Sequence, residues 1–160
     1  MTENFNSQPM TLVSKNITVS LDITPKRPSG YVEPTVSFSE EITIAPAPIL
    51  LISAAGAMGK TFTSMAIAEL LGCPRLDLSH LTVGQDTHSG VLNRALKGSS
   101  FAEFMGQLES GKTCLVIDSL DEAPLRSGER AFFAFMESLA EEAKSFDTYA
   151  HQFVLLGRPQ

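Results

Sequence analysis

Short apolar runs and helical stripes alternate along most of this chain. Runs of apolar residues predict four core strands, near 49–53, 75–79, 113–118 and 152–157. A helical pattern follows the first strand from about Lys60 to Leu71 and ends at Gly72, a typical helix stop. Strands that alternate with helices are typical of a mostly parallel sheet with helices on both faces. The pattern therefore predicts an α/β fold of three layers.

Two later stripes of apolar residues predict further helices. The first stripe lies behind Ser100 and Glu103, whose spacing predicts a capping box, and it consists of Phe101, Phe104, Met105 and Leu108. The second stripe consists of Phe132, Phe135, Met136, Leu139 and Ala143. Apolar residues at this spacing commonly form core faces, so we expect neither stripe to bind a ligand.

The residues before the first core strand divide into two segments. Residues 1–14 are polar and lack periodicity, which predicts a mobile tail. Residues 15–45 are predicted to form a small β-rich extension, because apolar and polar residues alternate over 17–23 and again over 36–44, where a hairpin is expected. The extension is expected to pack on a core of residues 46–160, or alternatively to form a wall of a base-binding pocket.

The turn between the first core strand and the first helix has the composition of a phosphate-binding loop. It consists of Ala54, Ala55, Gly56, Ala57, Met58, Gly59, Lys60 and Thr61. Small residues in such a turn let successive backbone N–H groups point inward, and the positive end of the helix dipole adds to them. Lys60 is placed to reach the β- and γ-phosphates, and Thr61 to offer its hydroxyl to Mg²⁺. We therefore expect this loop to bind ATP or ADP, or the guanine equivalents, together with Mg²⁺.

A second motif ends the strand near 113–118. Asp118 stands at the strand end, and Ser119, Leu120, Asp121 and Glu122 follow it. The strand is expected to direct Asp118 toward the phosphates, where its carboxylate can hold the metal opposite Thr61. Asp121 or Glu122 can orient or deprotonate an attacking water. An acidic surface turn or a helix N-cap is the alternative use of such residues.

The last apolar run ends in Gly157, Arg158 and Pro159. One branch of the nucleotide-binding α/β folds inserts a strand between the two motif-bearing strands, and the end of that strand faces the γ-phosphate. Arg158 is therefore a candidate phosphate sensor, because a guanidinium makes forked, charge-assisted contacts. An ordinary exposed arginine at a strand end is the alternative.

These residues resemble the NACHT group of signal-transduction ATPases (the STAND class). The segment from Asp118 to Glu122 is similar to the acidic motif of that family, and Gly157-Arg158-Pro159 is similar to its strand-end Ser-Arg-Pro. Tyr31-Val32-Glu33-Pro34 resembles a short segment upstream of the loop in bacterial members. The resemblance covers about residues 31–160, with Gly157 in place of the usual Ser or Thr.

The resemblance implies a P-loop NTPase fold and a nucleotide-gated switch, ADP-bound and closed at rest, ATP-bound and oligomeric when a sensor domain is engaged. Such proteins act as innate-immune or antiphage receptors or as regulators, and hydrolyse ATP slowly. Their fold has a fifth core strand and a helical lid. The chain is therefore expected to be a piece of a longer protein, truncated after the fourth core strand, that self-associates or works with partner domains. A small-molecule kinase and a nucleotide-binding interaction module without turnover stay open as alternatives.

Composition and charge narrow the range of partners. The net charge is −6 and the Lys and Arg residues are scattered, which argues against broad contact with nucleic acid. Cys73 and Cys114 lack a metal-binding spacing and are expected as buried free thiols, which suits a reducing compartment. The sequence shows neither a signal-peptide pattern nor an apolar run long enough for a membrane span. We therefore expect a cytoplasmic protein that binds a nucleotide and no membrane.

Overall fold

The computed structural model describes residues 10–14, 17–35, 47–96, 98–146 and 150–158. Within these residues the strands are β1 (Met10–Ser14), β2 (Ile17–Asp22), β3 (Ile49–Ser53), β4 (Arg75–Asp77), β5 (Leu115–Asp118) and β6 (Phe153–Gly157). The α-helices are α1 (Lys60–Leu71), α2 (Thr87–Leu96), α3 (Ser99–Glu109), α4 (Ala123–Ser127) and α5 (Glu129–Ser145), and a 3₁₀ helix spans Leu78–His80. None of the described helices combines the length and apolar character needed to cross a membrane. The predicted α/β class is confirmed.

The strands form one mixed sheet in the order β1-β2-β4-β5-β6-β3. β4, β5, β6 and β3 run parallel to one another, whereas β2 joins β4 antiparallel. β6 lies between β3 and β5 and pairs with both. The sequence predicts this insertion between the two motif-bearing strands, and the structure confirms it. The carboxyl ends of β3, β5 and β6 consequently meet at one edge of the sheet, where ligands of open α/β sheets commonly bind.

An antiparallel hairpin of β1 and β2 extends the sheet beyond β4. Its register runs from Met10 opposite Leu21 to Ser14 opposite Ile17. The prediction of a tail through residue 14 is therefore wrong for Met10–Ser14, because backbone pairing with β2 orders a segment that lacks strict alternation. The strand predicted from residue 17 is confirmed as Ile17–Asp22. Residues 1–9 and the hairpin predicted over 36–44 lie outside the described residues.

Helices lie on both faces of the sheet, because successive residues of a strand point to opposite sides. On one face, Ala68 of α1 packs with Val116, Val154 and Leu156 of the parallel strands. On the other face, α2, α3 and α5 pack on the sheet in a larger core that includes Leu92, Leu108, Leu115, Phe135, Leu139, Phe153 and Leu155. The sheet is thus the middle layer of the fold.

Two of the helices differ from the predicted pattern. α3 begins at Ser99 with Gly98 as its N-cap and has no side-chain cap, so the predicted capping box of Ser100 and Glu103 is wrong. α2 has no counterpart in the prediction, because a histidine interrupts its apolar face. His88 is nevertheless buried, and it pairs with Glu142 of α5. A buried histidine that pairs through Nε2 thus takes the place of an apolar residue in the core, while its Nδ1 has no hydrogen-bond partner among the described residues.

Cys73 and Cys114 are buried free thiols, as the sequence predicts. They stand shortly before β4 and β5, and their sulfur atoms lie 3.0 Å apart. The hydrogen bond with Cys114, together with burial, raises the pKa of Cys73 well above its ordinary value. The Cys73 thiol therefore stays protonated at neutral pH and packs as a small apolar group.

Two phenylalanines of α5 provide a matched test of the core. Phe135 is fully buried, whereas Phe133 is 60% exposed. Phe135→Ala should lower the free energy of unfolding by about 3–5 kcal/mol, because truncation removes apolar contacts and leaves a cavity. Phe133→Ala should change it by less than about 1 kcal/mol. Denaturant unfolding followed by circular dichroism measures both values, and equal effects would contradict the packing of α5 on the sheet.

Candidate functional site

A cavity of about 330 Å³ opens at the edge where β3, β5 and β6 end. Three segments line it: the 54–61 loop between β3 and α1, the acidic turn of residues 118–122 after β5, and Arg158 after β6. The lining residues are Ala57, Gly59, Lys60, Thr61, Phe62, Asp118, Ser119, Asp121, Glu122 and Arg158. The structure therefore brings the predicted metal, catalytic and sensor residues to one cavity. The other predicted loop residues lie outside this lining: Ala54, Ala55, Gly56 and Met58.

The 54–61 loop owes its shape to its backbone. Ala57 and Gly59 have left-handed conformations, with φ of 60° and 73°. Glycine adopts this conformation without steric cost, whereas an alanine in it is strained. The N–H of Ala54 donates to the carbonyl of Gly157 over 3.1 Å, which ties the loop to β6. α1 begins directly at Lys60, and the N–H groups of a first helical turn lack helical partners and suit an anion.

Lys60 lies against the start of its own loop. Its Nζ donates to the carbonyl oxygens of Ala54 (3.4 Å) and Ala55 (3.3 Å). Within the described part of the chain, no carboxylate forms an ion pair with it. Because both partners are neutral carbonyls, the positive charge of the ammonium is not compensated and is available to an anionic ligand. The predicted phosphate contact therefore needs no ion pair to be broken first.

Asp118 is buried at the end of β5 and accepts hydrogen bonds on both carboxylate oxygens. Its Oδ2 accepts from Ser64 Oγ (2.9 Å) and from Arg75 Nη2 (2.5 Å). Its Oδ1 accepts from the backbone N–H of Ser119 (2.8 Å), a residue with a left-handed φ of 63°. Thr61 lines the same cavity, but the hydroxyl in contact with Asp118 is that of Ser64. Ser64 of α1 and Arg75 of β4 thus hold the Asp118 carboxylate in place.

Thr61 and Asp118 fit a magnesium ion by the chemistry of their donors, which are the hard oxygens that Mg²⁺ prefers. A carboxylate oxygen offers about two acceptor positions, so Oδ1 of Asp118 keeps one beside the Ser119 N–H. Among the residues that the structure describes, no group of three or more His, Cys, Asp and Glu could hold a metal. The residues therefore suit a cation that completes its shell with phosphate oxygens and water.

Two residues that contact Asp118, Ser64 and Arg75, belong to no motif of the sequence. Arg75, the first residue of β4, is only 3% exposed, and its Nε donates to Ser64 Oγ over 2.6 Å. Its Nη2 also donates to Asp77 Oδ2 over 3.2 Å. Burial raises the pKa of Asp77, but hydrogen bonds from Ser79, the charge of Arg75 and a hydrogen bond from Ser119 outweigh it and hold that pKa below its ordinary value. A charged residue within an apolar strand pattern is the signal that marks Arg75.

Arg158 bridges the acidic turn and the loop. Its Nε lies 2.7 Å from Asp121 Oδ2 in an ion pair. A Cβ built on Gly56 would lie 3.6 Å from the Arg158 guanidinium carbon, so the guanidinium also lies close to the loop. The Arg158 side chain is 56% exposed, which leaves its remaining N–H groups accessible. The predicted sensor is thus at the cavity, paired with one of the two predicted bases.

Glu122 is the less restrained of the two predicted bases. It is exposed, and as N-cap of α4 it makes no side-chain capping bond. Within the described residues, its carboxylate has no hydrogen-bond or ion-pair partner. Its backbone N–H donates to the carbonyl of Ser119 (3.0 Å), which closes the acidic turn. Of the two carboxylates, Glu122 is therefore free to contact a water, whereas Asp121 is held by Arg158.

A smaller cavity of about 140 Å³ adjoins the loop on its other side. It is lined by Pro28, Ser29, Gly30, Tyr31, Val32, Pro34, Met58, Gly59, Phe62 and Thr63. The Tyr31 hydroxyl donates to Thr63 Oγ1 over 3.4 Å, which joins the upstream segment to α1. Both cavities contain Gly59 and Phe62 in their linings. The described part of the extension thus forms a wall next to the loop.

The position of Gly157 is sterically tight. A Cβ at this position would lie 3.3 Å from Leu120 Cβ, closer than ordinary side-chain contacts. Gly157→Ala should lower the free energy of unfolding by about 1 kcal/mol or more, because it pushes the acidic turn away from β6. Gly106→Ala in α3 is the control: a Cβ there meets nothing within 4 Å, and it should stabilise by about 0.5–1 kcal/mol. Thermal unfolding compares them, and a stabilising Gly157→Ala would contradict the close approach.

Comparison of the chain with protein-family models, with curated proteins and with solved structures gives no match. The interpretation of the cavity therefore depends on the residues that line it and on the motifs they form.

Proposed function

We propose that this chain is the nucleotide-binding part of a P-loop ATPase that resembles the NACHT group and acts as a slowly hydrolysing switch. The observation that carries the proposal is the cavity in which Lys60, Thr61, Asp118, Glu122 and Arg158 come together. A polyphosphate needs cationic and N–H donors, its metal needs oxygen ligands, and hydrolysis needs a group that activates water. The lining contains a candidate for each requirement.

The phosphates would bind to the N–H groups of the 54–61 loop and to the Lys60 ammonium. Arg158, at the end of β6, is placed for the γ-phosphate. A bound Mg²⁺ would neutralise the phosphate charge, with Thr61 and Asp118 as its ligands. The exposed Glu122 is the candidate general base, and Asp121 is the competing one.

The base would lie toward the smaller cavity beside the loop, with Tyr31 and Phe62 as its aromatic residues. Aromatic and apolar walls suit the faces of a purine ring. Proline residues on the same wall restrict the backbone of the upstream segment. Titration with ATP and with GTP measures which base the site prefers.

A small-molecule kinase is the alternative from a different class. Such an enzyme needs arginines that cover the transferred phosphate, and Arg126 and Arg130 are the candidates in this chain. Both are exposed, on α4 and α5, and neither lines the cavity. Activation of water by Glu122 therefore fits the lining better than phosphate transfer to an acceptor. Release of free phosphate distinguishes hydrolysis from transfer, and the absence of both products would favour an interaction module.

By its resemblance, the switch would serve bacterial defence or signalling, with sensor and effector functions in partner domains or in copies of the chain. Its two buried free thiols suit a reducing compartment such as the cytoplasm.

Lys60→Ala tests the phosphate site directly. The substitution should weaken nucleotide binding by about 10- to 150-fold, because it removes a charge-assisted contact worth roughly 1.5–3 kcal/mol. Titration with a fluorescent ATP analogue measures the dissociation constant. Lys112→Ala, at an exposed lysine after α3, is the control and should leave binding unchanged. Equal affinity of Lys60→Ala and the unmodified chain would refute the proposed function.

Glu122→Gln tests the role of the carboxylates in hydrolysis. It should leave nucleotide affinity nearly unchanged and slow hydrolysis by about 10²- to 10⁴-fold, because the amide cannot accept a proton from water. Asp121→Asn is the comparison, since Asp121 is already paired with Arg158. Phosphate release in single turnover gives both rates. An unchanged rate for Glu122→Gln would assign the base to Asp121 or to neither residue.

A further inference from the structure

A buried arginine lies beneath the proposed metal site and is not used by the proposed function. Arg75 is 3% exposed and Asp118 only 1% exposed, so both partners of this ion pair are almost fully buried. An arginine stays charged at any physiological pH, and a buried guanidinium needs close partners for its N–H groups. A group buried at such cost beside a functional carboxylate calls for a physical explanation.

The contacts of Arg75 fix the Asp118 side chain on one side only. Arg75 Nη2 donates to Oδ2, and Arg75 Nε donates to Ser64 Oγ. The single proton of the Ser64 hydroxyl is shared between Oδ2 and the carbonyl oxygen of Thr61. Arg75, Ser64 and Asp118 thus form a closed triangle of contacts. Oδ2 is held within this triangle, while Oδ1 accepts the Ser119 N–H and keeps room for one more donor or cation. Because these contacts hold Oδ2, Oδ1 is the oxygen of Asp118 that remains available to a metal ion.

The same contacts alter the charge that a cation would meet. Arg75 is shared between Asp118 and Asp77, so it compensates only part of their negative charge, and Thr61 is neutral. A strongly hydrated dication such as Mg²⁺ gains little from one partly compensated carboxylate and a hydroxyl alone. Phosphate oxygens would have to supply the missing negative charge.

We propose that Arg75 is a positioning residue that holds Asp118 through Oδ2 and leaves Oδ1 to a magnesium ion that binds with the nucleotide phosphates. The proposal rests on the proposed function, because it assigns a role to Arg75 at that same site. Ser64 of α1 also takes part in this positioning, since its hydroxyl contacts both Arg75 and Asp118. Asp77 holds the guanidinium from its other side, over 3.2 Å.

A purely structural role for Arg75 makes a different prediction. An arginine that only stabilises the fold would, when changed, affect nucleotide binding equally with and without Mg²⁺. An arginine that positions the metal ligand would affect binding in Mg²⁺ alone. The ratio of affinity in Mg²⁺ to affinity in EDTA therefore separates the two roles.

The test is a titration of a fluorescent ATP analogue in Mg²⁺ and in EDTA. Arg75→Lys keeps the charge but cannot make the Nε and Nη2 contacts together. Loss of such an outer contact typically costs 10- to 100-fold in metal affinity, so the Mg²⁺-to-EDTA ratio should fall about 10-fold or more, with affinity in EDTA unchanged. Arg94→Lys, at an exposed arginine of α2, is the control and should leave the ratio unchanged. Circular dichroism reports whether each variant is folded.

Several outcomes would overturn the proposal. An unchanged ratio in folded Arg75→Lys would overturn it, as would an equal loss in Mg²⁺ and in EDTA. If Arg75→Lys does not fold, Ser64→Ala decides in its place, and an unchanged ratio there has the same meaning. Binding by the unmodified chain that is independent of Mg²⁺ would overturn this inference and leave the phosphate site intact. No binding in either condition would instead refute the proposed function, and this inference with it.

Discussion

The candidate site depends on the position of one strand, β6, between β3 and β5. The last two carbonyls of β6 accept hydrogen bonds from both halves of the site: Gly157 from the N–H of Ala54, and Leu156 from the N–H of Leu120. A buried backbone group that loses its partner costs about 1–3 kcal/mol. The 54–61 loop and the acidic turn are distant in sequence but are held by adjacent peptide units. Neither can shift from the sheet edge without breaking such a bond, so the cavity keeps its shape through the backbone.

The charged residues at the cavity form two groups, one buried in the protein and one nearer the opening. Asp118 and Asp77 lie below with Arg75 between them, and this group carries more negative than positive charge. Lys60 and the exposed Arg158 lie nearer the opening. A buried guanidinium is tolerated because three side chains accept its hydrogen bonds, and this over-determined arrangement restricts the rotamer of Asp118. The cavity therefore has a negative base, and nearer its opening Lys60 and Arg158 stand beside the carboxylates of Asp121 and Glu122. This mixture of cations and carboxylates suits a metal ion bound to a polyphosphate.

Much of the fold follows from local pattern, and the rest depends on contacts distant in sequence. The four core strands and the limits of α1 follow from apolar runs and from Gly72, whereas the insertion of β6 is expected only by analogy with one branch of the nucleotide-binding folds. The local pattern does not predict β1, because its order comes from pairing with β2. It does not predict α2 either, because the His88 on its apolar face is buried in a pair with Glu142 of another helix. Eight of the twelve site residues predicted from motifs line one cavity, whereas Ala54, Ala55, Gly56 and Met58 do not. The sequence does not reveal the roles of Ser64 and Arg75, because their contacts with Asp118 form only when α1 and β4 pack beside the end of β5.

In the proposed function, Arg158 has two competing partners. One is the Asp121 carboxylate, with which it forms an ion pair, and the other is a bound phosphate. Asp121 Oδ1 is buried and, among the described residues, has no hydrogen-bond partner, so Arg158 compensates an otherwise poorly satisfied carboxylate. A phosphate in the cavity would compete for the guanidinium, because forked contacts to a phosphate are among the strongest that arginine makes. Asp121 would then lose its cation next to Glu122, the N-cap of α4. The two neighbouring carboxylates would then repel each other, so the exchange needs the stronger contact of the phosphate to offset this cost. Binding of a phosphate would thereby change the charge next to the start of α4, because it breaks the ion pair between Arg158 and Asp121.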